Sequence, residues 1–330
     1  MLTLTKSLFA LMIGFIAATF FGLIIIPFLK KIKLGQNINV YVEAHRSKAG
    51  TPTMGGVIFI IPTVLTTLFL LFTDKISYSM NLMIVLFVFI SYGFIGFLDD
   101  YLSIKRKTNE GLSQMQKLVL QFIVALVFYI LYSQFTDADS YLRISLLNIN
   151  LNLKWFYGVF ILFLLVGSSN AVNLTDGLDG LAGGLSVIAF IAFGLIAWGS
   201  WWIEGYQDLG IFCFILVGSI MGFLVFNTHP AKVFMGDTGS LTLGATLATI
   251  AILTAHEISL AVIGGVFVIE TLSVIIQIFS VVVLKRRVFL MTPIHHHFER
   301  LGWQEQDIVK LFWIVGLILG LLALIYGVWL

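Results

Sequence analysis

Charge is what this chain has least of. Of its 330 residues only 11% are Asp, Glu, Lys or Arg, while 59% are hydrophobic and the mean hydropathy is +1.02. Soluble domains carry about a quarter charged residues, so that class is excluded. Lys and Arg number 19 against 17 Asp and Glu, and no basic arm is present, which removes nucleic acid from the expected partners. Cysteine is nearly absent too. The single Cys213 stands in an apolar run, has no partner within the chain, and reads as a small packing residue. The apolar runs are continuous rather than alternating, which excludes a transmembrane barrel. The first of them, Leu8–Phe28, is too long for a signal-peptide core. Lys30, Lys31 and Lys33 follow it instead of a small-residue cleavage site, so it reads as a retained span. No internal repeat or low-complexity linker divides the chain, and residues 1–330 read as one integral membrane domain.

What is present is a series of long apolar runs. A run of twenty residues at about 1.5 Å per residue covers roughly 30 Å, the thickness of the hydrocarbon core. The chain therefore reads as an all-α polytopic membrane protein with ten transmembrane helices, at 7–29, 55–72, 79–98, 117–135, 156–172, 181–199, 209–226, 241–256, 259–284 and 308–328. Lys and Arg are divided unequally between the two sets of loops. One side holds Lys30, Lys31, Lys33, Arg46, Lys48, Lys105, Arg106, Lys107, Lys117, Lys232, Lys285, Arg286, Arg287, Arg300 and Lys310; the other holds Lys6, Lys75, Arg143 and Lys154. A split of 15 to 4 orients the chain with both termini outside and the basic loops in the cytoplasm. On the outer side, residues 141–157 alternate apolar and polar around Asn148–Asn150, which predicts a short hairpin, most simply an interfacial anchor.

The orientation gathers four polar clusters at the cytoplasmic face. Asp99 and Asp100 end the third span; as helix neighbours they point about 100° apart and cannot share one ligand face. Their plainer reading is a solvated helix end paired with Lys105–Lys107. The segment Asn170-Ala171-Val172-Asn173-Leu174-Thr175-Asp176-Gly177-Leu178-Asp179-Gly180 sets Asn170, Asn173 and Asp176 on an i, i+3, i+6 rhythm and contains no Lys or Arg. Its amides and carboxylates suit a sugar or a base edge; a tight turn with capping Asx residues explains only the glycines. In Asn227-Thr228-His229-Pro230-Ala231-Lys232-Val233-Phe234-Met235-Gly236-Asp237, the aspartate opens the next span between Gly236 and Gly239. It can face a phosphate or metal, or simply cap the helix, and Phe234 can stack on a base or sit in the interfacial belt. Pro293-Ile294-His295-His296-His297-Phe298-Glu299 follows Lys285-Arg286-Arg287. Three consecutive histidines do not converge as zinc ligands do, and beside a basic run they suit phosphate oxygens. The first cytoplasmic loop adds Lys48, Thr51, Thr53, Gly55 and Gly56, as a phosphate-handling loop would, although a plain positive-inside loop accounts for its lysines. Glu270, Ser273 and Gln277 form one polar stripe inside the ninth span, read as lining a groove or breaking the helix.

These motifs, with Thr51-Pro52-Thr53-Met54-Gly55-Gly56 and Asp99-Asp100-Tyr101, closely resemble the phospho-N-acetylmuramoyl-pentapeptide-transferase branch of the polyprenyl-phosphate hexosamine-1-phosphate transferases. The resemblance runs through all five cytoplasmic loops, and the triple histidine points to the muramoyl-pentapeptide branch. It implies transfer of phospho-N-acetylmuramoyl-pentapeptide from UDP-N-acetylmuramoyl-pentapeptide to undecaprenyl phosphate, with Mg²⁺ as cofactor, giving the first lipid-linked peptidoglycan precursor and UMP at the cytoplasmic face of the bacterial inner membrane. By the same resemblance Asp237 matches the magnesium ligand. Asp99 and Asp100 match the pair assigned to the metal and the lipid phosphate, with Asp99 preferred for the phosphate proton. Asn173, Asp176, Gly177, Leu178, Asp179, Asn227 and Phe234 match the nucleoside and diphosphate pocket, and Asn170 and Met235 are counted with the substrate-binding residues. Lys48, Thr53, Lys117, His295, His296 and His297 match positions around the phosphates and the sugar. The stripe at Glu270 falls where the family's broken ninth helix borders a lipid groove. Membrane lipid and a homodimer partner complete the expected contacts. The rival readings are a transferase using UDP-N-acetylglucosamine, against which the histidines argue, and a secondary transporter, against which the boundary position of nearly all the acids argues.

Overall fold

The computed structural model describes residues 2–32, 50–106, 111–136, 140–144, 149–200 and 203–328. Lys33, Arg46, Lys48 and Lys107 lie outside the described residues. The chain folds into α1 Leu2–Ile32, α2 Val57–Phe72, α3 Met80–Arg106, α4 Gln114–Phe135, strands β1 Tyr141–Ile144 and β2 Ile149–Asn152, then α5 Phe156–Thr175, α6 Leu181–Gly199, α7 Tyr206–Asn227, α8 Gly236–Leu253, α9 Glu257–Ile263, α10 Gly265–Phe279, α11 Ile294–Arg300 and α12 Glu305–Val328. Among the described residues eight helices are long and apolar enough to cross a membrane: α1, α3 to α7, α10 with its extension to Leu284, and α12. The shorter α2, of 16 residues, is apolar as well.

Helix α8 is of another kind. It carries Thr238, Ser240, Thr242, Thr246 and Thr249, and every residue from Thr238 to Leu253 is buried. Three of its hydroxyls are satisfied inside the helix: Thr242, Thr246 and Thr249 donate to the carbonyls four residues back, at 2.7, 2.7 and 2.9 Å. Small residues let its neighbours close on it. A Cβ on Gly96 of α3 would strike the Asp237 carbonyl, and one on Gly244 would strike the Ser168 carbonyl of α5. Helix packing without a hydrophobic driving force depends on such close approach. With α3 and α5 against α8, α6 between α7 and α12, and α1 against α7, the molecule has its most protein-enclosed helix at the centre.

The ninth apolar run is not continuous. It breaks at Gly264 between α9 and α10, and its end tightens into a π-helical turn, Ser280–Leu284, closed by Lys285 at φ 54°. On the other side, β1 and β2 pair antiparallel with Tyr141 opposite Asn152 and Ile144 opposite Ile149. The hairpin is thus shorter than the alternation of 141–157 predicts, because residues 153–157 turn into α5. An apolar groove of about 290 Å³ runs between α5, α8, α9 and α10, walled by residues such as Phe163, Gly167, Leu260, Phe267 and Ile275.

Candidate active site

Two loops are sewn together ahead of α8. Gly55 and Gly56 donate to the carbonyls of Phe234 and Met235 at 2.8 and 2.9 Å, and Phe234 donates to Pro52 at 2.8 Å. Gly236 then turns the chain at φ 71°, and a Cβ there would collide with the Asp100 carboxylate and the Thr53 hydroxyl. This turn delivers Asp237 into the first turn of α8, where free backbone N–H groups favour negative charge. Helix α4 is started by a capping box of Ser113 and Gln116, which sets Lys117 in its first turn.

Lys117 bridges two acids. Its Nζ is ion-paired to Asp237 Oδ2 and lies 3.3 Å from Asp99 Oδ1. Asp99 Oδ1 also accepts from the Leu112 N–H at 2.9 Å. The other oxygen of Asp237 accepts from Asn173 Nδ2 at 2.7 Å, and the same amide reaches Ser240 Oγ at 2.9 Å. Asp100 points elsewhere: its Oδ2 accepts from the backbone and hydroxyl of Thr238 at 3.0 and 2.6 Å, capping α8 from a different helix. The two neighbouring aspartates therefore do different work. Asp176 ends α5, accepts from the Gly236 N–H, and has its carboxyl held well above the usual range, first by burial and then by Asp237, Asp100 and Asp179.

Beyond this cluster, Asp179 accepts from Ala231 N at 3.0 Å and faces His229 Nδ1 at 3.2 Å. Glu305, in the first turn of α12, accepts from Asp179 N at 2.6 Å and lies 3.3 Å from the same imidazole nitrogen. Among the described residues Asp179, His229 and Glu305 are the three metal-type donors that converge, within 4.8 Å of one another. Their atoms are engaged with each other and with backbone N–H groups. Asn227 pins the loop by accepting from Gly180 N at 3.1 Å and donating to Val233 O at 3.0 Å.

A cleft of about 340 Å³ opens over these groups. Its wall contains Thr53, Asp100, Asn173, Asp176, Gly177, Leu178, Asp179, Asn227, Phe234, Gly236 and Asp237. Lys117 and Asp99 join it through the ion pairs. Five other sequence candidates stand apart from the wall. Asn170 commits its amide to Gln121 Oε1 and the Val166 carbonyl, both at 2.8 Å. Met235 is fully buried and contributes its carbonyl to Gly56. His296 Nδ1 meets Glu299 Oε2 at 2.6 Å, and His297 Nδ1 accepts from Leu290 N at 3.1 Å. His295 lies buried behind Gly177, where its imidazole fills the place of a Cβ. Lys48 is outside the described residues.

Comparison with known proteins matches the glycosyl transferase family 4 over residues 82–255 and phospho-N-acetylmuramoyl-pentapeptide-transferase signature 1 over residues 48–60. The phospho-N-acetylmuramoyl-pentapeptide-transferases of Bacillus licheniformis and Bacillus subtilis are each 49% identical over 325 residues, 98% of this chain and 98% of theirs. That of a Geobacillus species is 48% identical over 322 residues, 97% of both chains. The chain belongs to the phospho-N-acetylmuramoyl-pentapeptide-transferase family.

For a phospho-N-acetylmuramoyl-pentapeptide-transferase, the signature segment here has a visible structural task, since Pro52, Gly55 and Gly56 hold the loop that carries Phe234. The stripe in the ninth run also has one. Gln277 Oε1 accepts from Val288 and Phe289 N–H at 3.1 and 3.0 Å, fastening the loop before α11 to α10. Sequence reading missed Ser240, His229 and Glu305. Ser240 looks like an ordinary helix hydroxyl, and Glu305 like an acid favoured in any first helical turn, so neither announces a link to the cleft.

Proposed function

We propose that this chain transfers phospho-N-acetylmuramoyl-pentapeptide from its UDP-linked donor to undecaprenyl phosphate. An oxygen of the lipid phosphate forms a bond to the sugar-bearing phosphorus. The bond from that phosphorus to the bridging oxygen breaks, and UMP leaves with the electron pair. The observation that carries the reading is the meeting of Asp99, Lys117, Asn173 and Asp237, from four different helices, at one end of the bundle.

The donor set fits a divalent cation. Hard carboxylate oxygens of Asp99 and Asp237 flank one ammonium, so acids outnumber the neutralising group. Asp237, with Asp99, would hold Mg²⁺, while Asp100 is committed to the start of α8. Bound there, the ion supplies charge neutralisation between two phosphorylated reactants. The protein's own groups do the rest. Lys117 holds Asp99 and Asp237 in register and offers positive charge to a phosphate. Asn173 orients Asp237. Phe234, Asp179 and the backbone around Gly177 and Leu178 receive the nucleoside. Asp99 is the group placed to take a proton from the lipid phosphate, a small demand because that phosphate is largely ionised near neutral pH. The apolar groove beside α10 takes the polyprenyl tail.

Ten spans with both termini outside would set this cleft on the cytoplasmic side of the inner membrane, as the 15 to 4 division of basic residues supports. Membrane lipid and a second copy of the chain complete the partners. The test incubates purified protein with undecaprenyl phosphate, the muramoyl-pentapeptide donor and Mg²⁺. Release of UMP with formation of the lipid-linked product is expected. Absence of UMP from this donor, with release from UDP-N-acetylglucosamine, overturns the reading.

A further inference from the structure

Glu270 stands in the middle of α10 with no exposure, the one carboxylate of that helix. A carboxylate so placed is costly unless partnered. Its partner comes from α11: His295, also unexposed, sets Nδ1 3.1 Å from Glu270 Oε1, and its backbone N–H lies 3.4 Å from Oε2. The far side of the same ring presses on Gly177. A Cβ at that glycine would overlap Nε2, and neither ring nitrogen has an aligned hydrogen-bond partner, so the ring is held by its backbone N–H bond and by close contact with the Glu270 carboxylate. A chain of contact thus runs from the interior of α10 through one imidazole to the loop that carries Asp176 and Asp179 into the cleft.

We propose that Glu270 is a positioning residue for the transferase reaction. Its Oε2 accepts from the His295 backbone N–H and its Oε1 stands against the imidazole, which seats the ring behind Gly177 and so holds that loop against the cleft. Gln preserves the shape and the backbone bond but removes the negative charge that faces the ring. This inference rests on the reading of the Asp176–Asp179 loop as the nucleotide-binding wall.

The test is a double-mutant cycle on the full-length protein, with Glu270→Gln, His295→Asn and the pair, read as kcat and KM for the sugar-nucleotide donor together with the unfolding midpoint. Glu270→Gln is expected to lower kcat/KM by about ten- to a hundredfold, the usual cost of losing a supporting group. KM should carry most of the change, the midpoint should be nearly unmoved, and the pair should be no worse than His295→Asn alone. Full activity in Glu270→Gln, or losses that multiply in the pair, overturns the positioning role. Full activity in His295→Asn instead overturns the reading of the loop. Should Glu270→Gln not fold, nitrogen-15 histidine spectra of the wild-type protein decide. A histidine signal that is lost in His295→Asn and shifts on addition of UMP supports the proposal. No response of that signal to UMP refutes it.

Discussion

Lys117 and Asp237 are 120 residues apart in sequence and form an ion pair between the first turns of α4 and α8. The ammonium also touches Asp99 at 3.3 Å, so one side chain neutralises charge delivered by two other helices. A cation is therefore part of this cluster even in the protein alone. A divalent ion entering the same carboxylates would meet that ammonium as a competitor.

Lys117→Met tests this competition. Removing a unit charge in contact with the carboxylates should tighten Mn²⁺ binding at least about tenfold, given the size of such interactions near a protein surface. Turnover should nevertheless be lost, because the reactants' phosphates lose a cationic contact. Asp237→Asn should lose both ion binding and turnover. The titration is followed by the Mn²⁺ electron paramagnetic resonance signal, and unchanged or weaker binding in Lys117→Met refutes the competition.

Asp176 supplies a pH dependence with a definite sign. Burial and three nearby carboxylates raise its pKa above the ordinary 3.8. The folded protein thus holds this proton to higher pH than the unfolded chain does. The contribution to stability is full below the unfolded value and is lost as pH rises through the raised one. Asparagine does not ionise. Asp176→Asn should match wild type at acid pH and exceed it increasingly as pH rises, by roughly 1.4 kcal/mol per pH unit across the interval between the two values. Thermal unfolding of metal-free protein across that range checks the slope, and a flat or inverted difference refutes it.

Phe234 is partly exposed in the cleft wall, its backbone fixed by Pro52 and Gly55. Phe234→Ala should weaken UMP binding by ~1–3 kcal/mol, the worth of one base stacked on an aromatic ring. Calorimetry measures it, and unchanged affinity assigns the ring to packing.

Gly167 lines the apolar groove, and nothing stands within 4 Å of where its Cβ would be. Gly167→Leu should fold normally and fill part of that groove. The expected outcome is a raised KM for undecaprenyl phosphate with UMP affinity unchanged. Equal KM values for the lipid acceptor would separate the groove from the reaction.

The sequence made much of this visible because membrane helices announce themselves by length and apolarity, as α3, α6 and α7 do. Asp99, Asp100, Asn173, Asp176 and Asp237 were legible because acids and amides at span ends are costly without a task. Other relationships were hidden because they depend on tertiary direction. The i, i+3 spacing of Asn170 and Asn173 suggests one shared face, yet Asn170 turns to Gln121 while Asn173 turns to Asp237. The stripe of Glu270 and Gln277 suggests a groove lining, yet these side chains hold His295 and the loop at Val288. Met235 lies beside Phe234 in sequence but is fully buried, its backbone already turned into the helical region ahead of α8.

The enclosure of α8 bears on how the cleft is held together. A segment with five hydroxyl side chains and no lipid-facing surface gains little from the bilayer by itself. Its place is defined by α3 and α5, which precede it in the chain and pack against it. The helix bearing Asp237 is thus a keystone, and the cleft is whole only with all three together.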